Sequence, residues 1–95
     1  MFDVTLISDI KDGGVRKASF QTCGAVCSSQ MDIELDGDIV KSVRYTGGCH
    51  GNTQGIGALV VGMNKADVIS RLSGIDCKGR GTSCPDQLSR ALKML

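Results

Sequence analysis

The chain has 95 residues, eleven basic and ten acidic side chains, a net charge of +1, and only two Phe and one Tyr as aromatics. This size allows one domain, residues 1–95, with a modest core, and balanced charge with so few aromatics excludes a nucleic-acid reader. The longest apolar run, Ala58 to Val61, is too short to span a bilayer, and the acidic, h-region-free N-terminus does not read as a signal peptide, so the expectation is a cytoplasmic protein with no membrane partner.

Phe2 to Ile7 is apolar and β-branched and reads as a first strand. Lys11-Asp12-Gly13-Gly14 is a turn signal, and Val15 to Thr22 is the returning strand. Cys23 to Ser29 breaks the pattern as a loop or bulge. Met31, Ile33 and Leu35 alternate with Gln30, Asp32 and Glu34, the signature of a half-buried strand. Asp36-Gly37 is a hairpin turn, and Ile39, Val43 and Tyr45 mark the next strand, with Lys41 breaking the apolar row.

The glycine-rich segment Gly47-Gly48-Cys49-His50-Gly51-Asn52 follows, and Asn52 reads as a helix cap. In that helix Ile56, Leu59, Val60 and Met63 share a face. Gly55 and Gly57 cost it about 1 kcal/mol each relative to alanine, in return for close packing or room for a bound group. A second helix starts after Asn64, with Asp67 placed as in a capping box. Val68, Ile69 and Leu72 face inward, and Gly74 ends it. A last helix starts at Pro85, capped by Ser83 or Cys84, with Leu88, Ala91, Leu92 and Leu95 on one face. Two hairpins followed by three helices predict an α+β fold, a meander-like antiparallel sheet covered on one face by helices.

Five cysteines in a small intracellular chain point to metal binding or redox work rather than a disulfide framework. There is no CxxC pair, so the spacing is not that of a zinc ribbon or finger. Cys84 opens the last helix, where a thiolate faces the positive end of the dipole and free backbone N–H groups. It reads as a metal ligand or nucleophile, or else as a small buried residue. Cys27, Cys49, Cys77 and Cys84 all stand at element ends, and four thiolates from such loops would make a tetrahedral S4 site for zinc or an iron–sulfur cluster. Cys23 is either a spare residue or a resolving thiol for Cys27. His50 is an exposed loop residue or a ligand or its supporting donor, Asp86 is an ordinary helix-start acid or, with Arg80, a group that tunes Cys84, and Met31 and Met63 are core. No GxGxxG, phosphate loop or serine–histidine–acid grouping is present, so an independent enzyme has little direct support.

The string Thr82-Ser83-Cys84-Pro85-Asp86, with Val26-Cys27-Ser28, Gly47-Gly48-Cys49, Gly51-Asn52 and Cys77 before it, resembles the TSCPD domain family from about Gly24 onward. That family includes small stand-alone four-cysteine proteins. A related segment lies near the C-terminus of cobalamin-dependent ribonucleotide reductases. The resemblance implies a metal-binding role for Cys27, Cys49, Cys77 and Cys84, or a thiol-redox role beside a ribonucleotide reductase. Any enzymatic role it implies is ribonucleoside-diphosphate reductase-like, although the chain is too short to hold a reductase barrel.

The layout also resembles, more distantly, the U-type scaffolds of iron–sulfur cluster assembly, with Cys27, Cys49 and Cys84 at the matching places. It departs from them in having Cys27-Ser28-Ser29 where they have Cys-Gly-Asp, and Ser83 where a histidine often stands. The partners implied are therefore a ribonucleotide reductase or the iron–sulfur machinery.

Overall fold

The computed structural model describes residues 4–23, 28–47, 50–75, 79 and 82–95. The fold is α+β. Strands β1 (Thr5–Asp12), β2 (Val15–Gln21), β3 (Ser28–Asp36) and β4 (Ile39–Gly47) precede helices α1 (His50–Val60), α2 (Lys65–Leu72) and α3 (Cys84–Lys93). The sheet is an antiparallel meander in the order β1-β2-β3-β4. The first turn is a two-residue connection between paired Asp12 and Val15, with Gly13 and Gly14 at φ 59 and 87. Positive φ at both central residues matches the right-handed strand twist, which is why glycine occupies them. The first strand runs through Asp12 rather than stopping at Ile7 as the apolar pattern suggests, because pairing with β2 continues to the turn.

Alternation then sorts the faces. Ala18, Phe20, Met31, Ile33, Leu35, Val40 and Val43 are buried on the helix-covered face. The opposite face is polar: Ser19 donates to Asp32 at 2.6 Å, Gln30 donates to the same carboxylate at 3.1 Å, and Ser42 donates to Glu34 at 2.8 Å. The expected row Ile39, Val43, Tyr45 is corrected to Val40, Val43, Tyr45, and Ile39 is 42 % exposed. The cause is a bulge. Glu34 pairs with Ser42 but Leu35 pairs with Val40, so Lys41 is an extra residue that shifts the alternation by one.

Helix α1 lies on β4 through Thr53, Ile56, Gly57 and Val60, the i, i+3, i+4, i+7 face. Leu59, expected inward, is 77 % exposed. The contact face is drawn toward Gly57 instead, where a Cβ would stand 2.7 Å from the Val43 carbonyl oxygen. Gly57 therefore serves close packing, whereas Gly55 has open space at its Cβ position. Asn52, expected as a cap, lies inside α1.

Beyond α1 the chain returns to the sheet. Val40 N–H donates to the Met63 carbonyl and Gly62 N–H to the Val40 carbonyl, both at 2.8 Å. These bonds close the β4 edge near its start. Asn64 caps α2 by accepting from Ala66 N–H at 2.9 Å, while Asp67 is exposed. Val68 is buried and Ile69 and Leu72 are half-buried, as their spacing predicts. In α3, Leu88, Ala91 and Leu92 are buried and Leu95 packs against them. Full burial of a leucine such as Leu88 is worth about 2–3 kcal/mol. No helix among the described residues is long and apolar enough to cross a membrane.

Candidate functional site around the start of α3

The first turn of α3 is bonded to several distant parts of the described chain. Ser83 is the N-cap, in extended conformation, and its side-chain oxygen accepts from Asp86 N–H at 3.1 Å. The same hydroxyl donates to the Ile75 carbonyl at 2.6 Å, tying the loop after α2 to the helix start. Cys84 is therefore the first helical residue and Pro85 the second. Pro85 still costs nothing there, because the N–H it lacks has no helical partner in the first turn.

Asp86 is the hub rather than an ordinary helix-start acid. It is 2 % exposed. One carboxylate oxygen accepts from Gly74 N–H at 2.7 Å, and the other accepts from the Thr82 hydroxyl at 2.6 Å and from Arg90 Nε at 2.8 Å. Burial alone would raise the carboxyl pKa. The bonds from Thr82, Arg90 and Gly74, with the Arg90 charge, outweigh it and hold the group below its ordinary value. Asp86 is thus a buried anion fixed at the positive end of the helix dipole.

Gln87 extends the network to the sheet. It is fully buried; its amide nitrogen donates to Thr82 Oγ1 at 3.1 Å and its oxygen accepts from Cys23 N–H at 2.9 Å. Tyr45, near the end of β4, donates its hydroxyl to the Cys84 carbonyl at 3.1 Å. Burial and then the nearby Cys84 sulfur, as a thiolate, push the Tyr45 phenol above its ordinary range, so it remains a protonated donor. A cleft of about 470 Å³, lined by Tyr45, Gly47, Thr53 and Gly57 among others, opens beside it between β4 and α1.

Of the residues singled out in the sequence, Cys84 lies at this helix start, half-buried. Cys27, Cys49 and Cys77 fall outside the described residues, as does Arg80. Cys23 is described: it is half-buried two residues beyond β2, with its N–H held by Gln87. His50 is the first residue of α1 rather than a loop residue. Met31 is core and Met63 packs against it from the segment beyond α1. Among the described residues no three His, Cys, Asp or Glu side chains gather in a way that could hold a metal.

The sequence assigns no bonding role in this network to Thr82, Gln87 or Tyr45. One signal was available for Asp86 and Arg90, the only charged pair of α3 at i, i+4 spacing. Thr82 stands four residues before Asp86 and shares its carboxylate, but nothing local announces that.

Comparison with known proteins agrees with the motif. The TSCPD domain family model matches residues 8–95, nearly the whole chain. Neither the curated proteins nor the solved structures give a significant match.

Proposed function

Because the chain belongs to the TSCPD domain family, we propose that it is a small metal-binding protein whose zinc ion or iron–sulfur cluster is held by the thiolates of Cys27, Cys49, Cys77 and Cys84. One observation carries the reading: three separate segments are bonded to the first turn of α3, and each leads in sequence to another of these cysteines. Cys23, bonded to Gln87, is four residues before Cys27. Tyr45, bonded to the Cys84 carbonyl, is four residues before Cys49. Ile75, bonded to Ser83, is two residues before Cys77. The Cα pairing of Ser28 with Gly47 joins two of these flanks again.

A chain advances at most about 3.6 Å per residue, so two residues reach about 7 Å and four about 14 Å. Four thiolates on one zinc stand about 4 Å apart, from Zn–S bonds near 2.3 Å, which these tethers allow. The donor chemistry fits as well. Thiolates are soft ligands suited to zinc or iron–sulfur, the start of α3 favours negative charge, and the Tyr45 phenol adds none. Bound zinc would cross-link the loops, and a bound cluster would add electron transfer. The chain's own residues supply the preorganised frame in either case.

The test is elemental analysis of reduced protein purified without added metal, alongside acid-labile sulfide. About one zinc per chain, or iron with matching sulfide, is expected, and replacing Cys49 or Cys84 by serine should abolish it. Reduced protein without stoichiometric metal would sink the proposal and leave the thiol-redox role beside a ribonucleotide reductase. Metal retained after both substitutions would sink it equally.

A further inference from the structure

We propose that β1 is a self-association edge: two copies join antiparallel along Ser8–Asp12, with the two-fold axis at Ile10, and merge their four-stranded sheets into one. Among the described residues the sheet leaves this edge open. No described strand lies outside β1, whereas the start of β4 is closed by residues 62–64, through the bonds of Val40 and the bridge of Ile39 to Asn64. β1 is exposed at every position but Ser8, with Ile7 54 % and Ile10 60 % exposed. An unpaired edge of this length is a template for another strand.

Symmetry and charge select the occupant and the register. A two-fold axis normal to the sheet keeps every side chain on its own face. Facing residues must therefore have the same parity, and one residue must face its own copy. Between the bulge at Ile7 and the turn at Gly13 the available centres are Ser8, Asp9, Ile10, Lys11 and Asp12. Centring on Asp9, Lys11 or Asp12 sets like charges directly opposite, which is unfavourable. Centring on Ser8 runs into the bulge. Centring on Ile10 places the exposed isoleucine against its copy and Asp9 against Lys11 of the other chain, twice by symmetry.

Asp9 is preset for this. Arg16 holds both its carboxylate oxygens, at 2.8 and 2.5 Å, and is itself anchored on the Leu95 carbonyl at 2.7 Å. Lys11 is exposed and forms no ion pair among the described residues. The charges that discourage pairing with an arbitrary apolar strand are thus complementary to a second copy of this one. The contact is far smaller than the roughly 1,600 Å² of a standard interface, so the dimer is weak and reversible.

Sedimentation of the reduced chain from about 10 µM to about 1 mM spans the affinities such a contact allows. The weight-average mass should rise above the 10.0 kDa chain toward its double, and amide exchange at Ser8–Asp12 should slow with concentration. Ile10→Glu leaves the monomer intact, because the new carboxylate faces Lys17 across β2 but meets its own copy at the axis. Lys11→Glu sets one carboxylate opposite each Asp9. Each should raise the dissociation constant about tenfold. A wild-type chain monomeric at 1 mM overturns the proposal, as does a dimer whose affinity ignores both substitutions.

Discussion

Replacing Asp86 by alanine tests whether the α3 network holds the fold together. Three donors lose their acceptor. Arg90, with its side chain 33 % exposed, turns to water at little cost. Thr82 is fully buried and its hydroxyl stays behind without an acceptor, whereas Gly74 is exposed and its N–H is taken up by water. Each buried unsatisfied donor costs about 1–3 kcal/mol, and the lost anion at the helix start adds about 0.3–1 kcal/mol. The sum, about 1–4 kcal/mol, overlaps the about 3–5 kcal/mol that breaking one side of a buried ion pair costs and is a large share of the about 5–15 kcal/mol of an ordinary domain. With a urea m-value of about 1.3 kcal/mol per M, the midpoint should fall by about 1–3 M.

The same experiment has a pH arm. Asp86 titrates below its unfolded value near 3.9. The unfolded chain therefore takes up the proton first as pH falls. The stability from this group is complete above about pH 4 and is lost as pH drops through the folded pKa. Asp86→Ala should lose that part of the acid slope. Asp86→Asn should fall between, since it keeps one acceptor for Gly74 but points an amide N–H at Arg90 Nε. A loss below about 1 kcal/mol for alanine, with an unchanged acid limb, would refute the reasoning.

Gly57→Ala should destabilise by about 1–3 kcal/mol by overpacking, despite its helix-propensity gain, because the new Cβ meets the Val43 carbonyl at 2.7 Å. Gly55→Ala, with open space at the same atom, should instead stabilise by about 0.5–1 kcal/mol; thermal melts of the pair decide it. Cys23→Ser should leave metal stoichiometry and urea midpoint nearly unchanged, since the bond to Gln87 uses the backbone N–H, which serine retains. A metal loss equal to that of Cys27→Ser would instead make Cys23 a ligand.

The meander was readable because its signals are local. Met31, Ile33 and Leu35 alternate, Gly13-Gly14 and Asp36-Gly37 mark the turns, and the caps Asn64 and Ser83 announce two helices. The β4 bulge was not readable, because an inserted Lys41 shifts the alternation without any turn residue to mark it. The contact face of α1 was misread for a related reason: packing is decided by the absent side chain of Gly57, while periodicity counts only the side chains present. At the candidate site, the helix start and Cys84 followed from Ser83, Pro85 and Asp86. The partners of Asp86 and Gln87 did not, since Gly74, Thr82 and Cys23 reach them only through the tertiary fold.

The reach of those bonds governs the order of assembly. Each hairpin closes between neighbours, such as Asp12 with Val15 and Asp36 with Ile39. The bond of Cys23 to Gln87 spans 64 residues and that of Tyr45 to Cys84 spans 39. Closing longer loops costs more entropy, so such contacts form late. The expected order is that the sheet forms as a local meander and α3 docks after it. Contacts made after the folding barrier lengthen the lifetime of the native state more than they speed its formation. The motif that names the family is, in kinetic terms, a latch: it sets how long the segments bonded to the start of α3 stay assembled once the chain has folded.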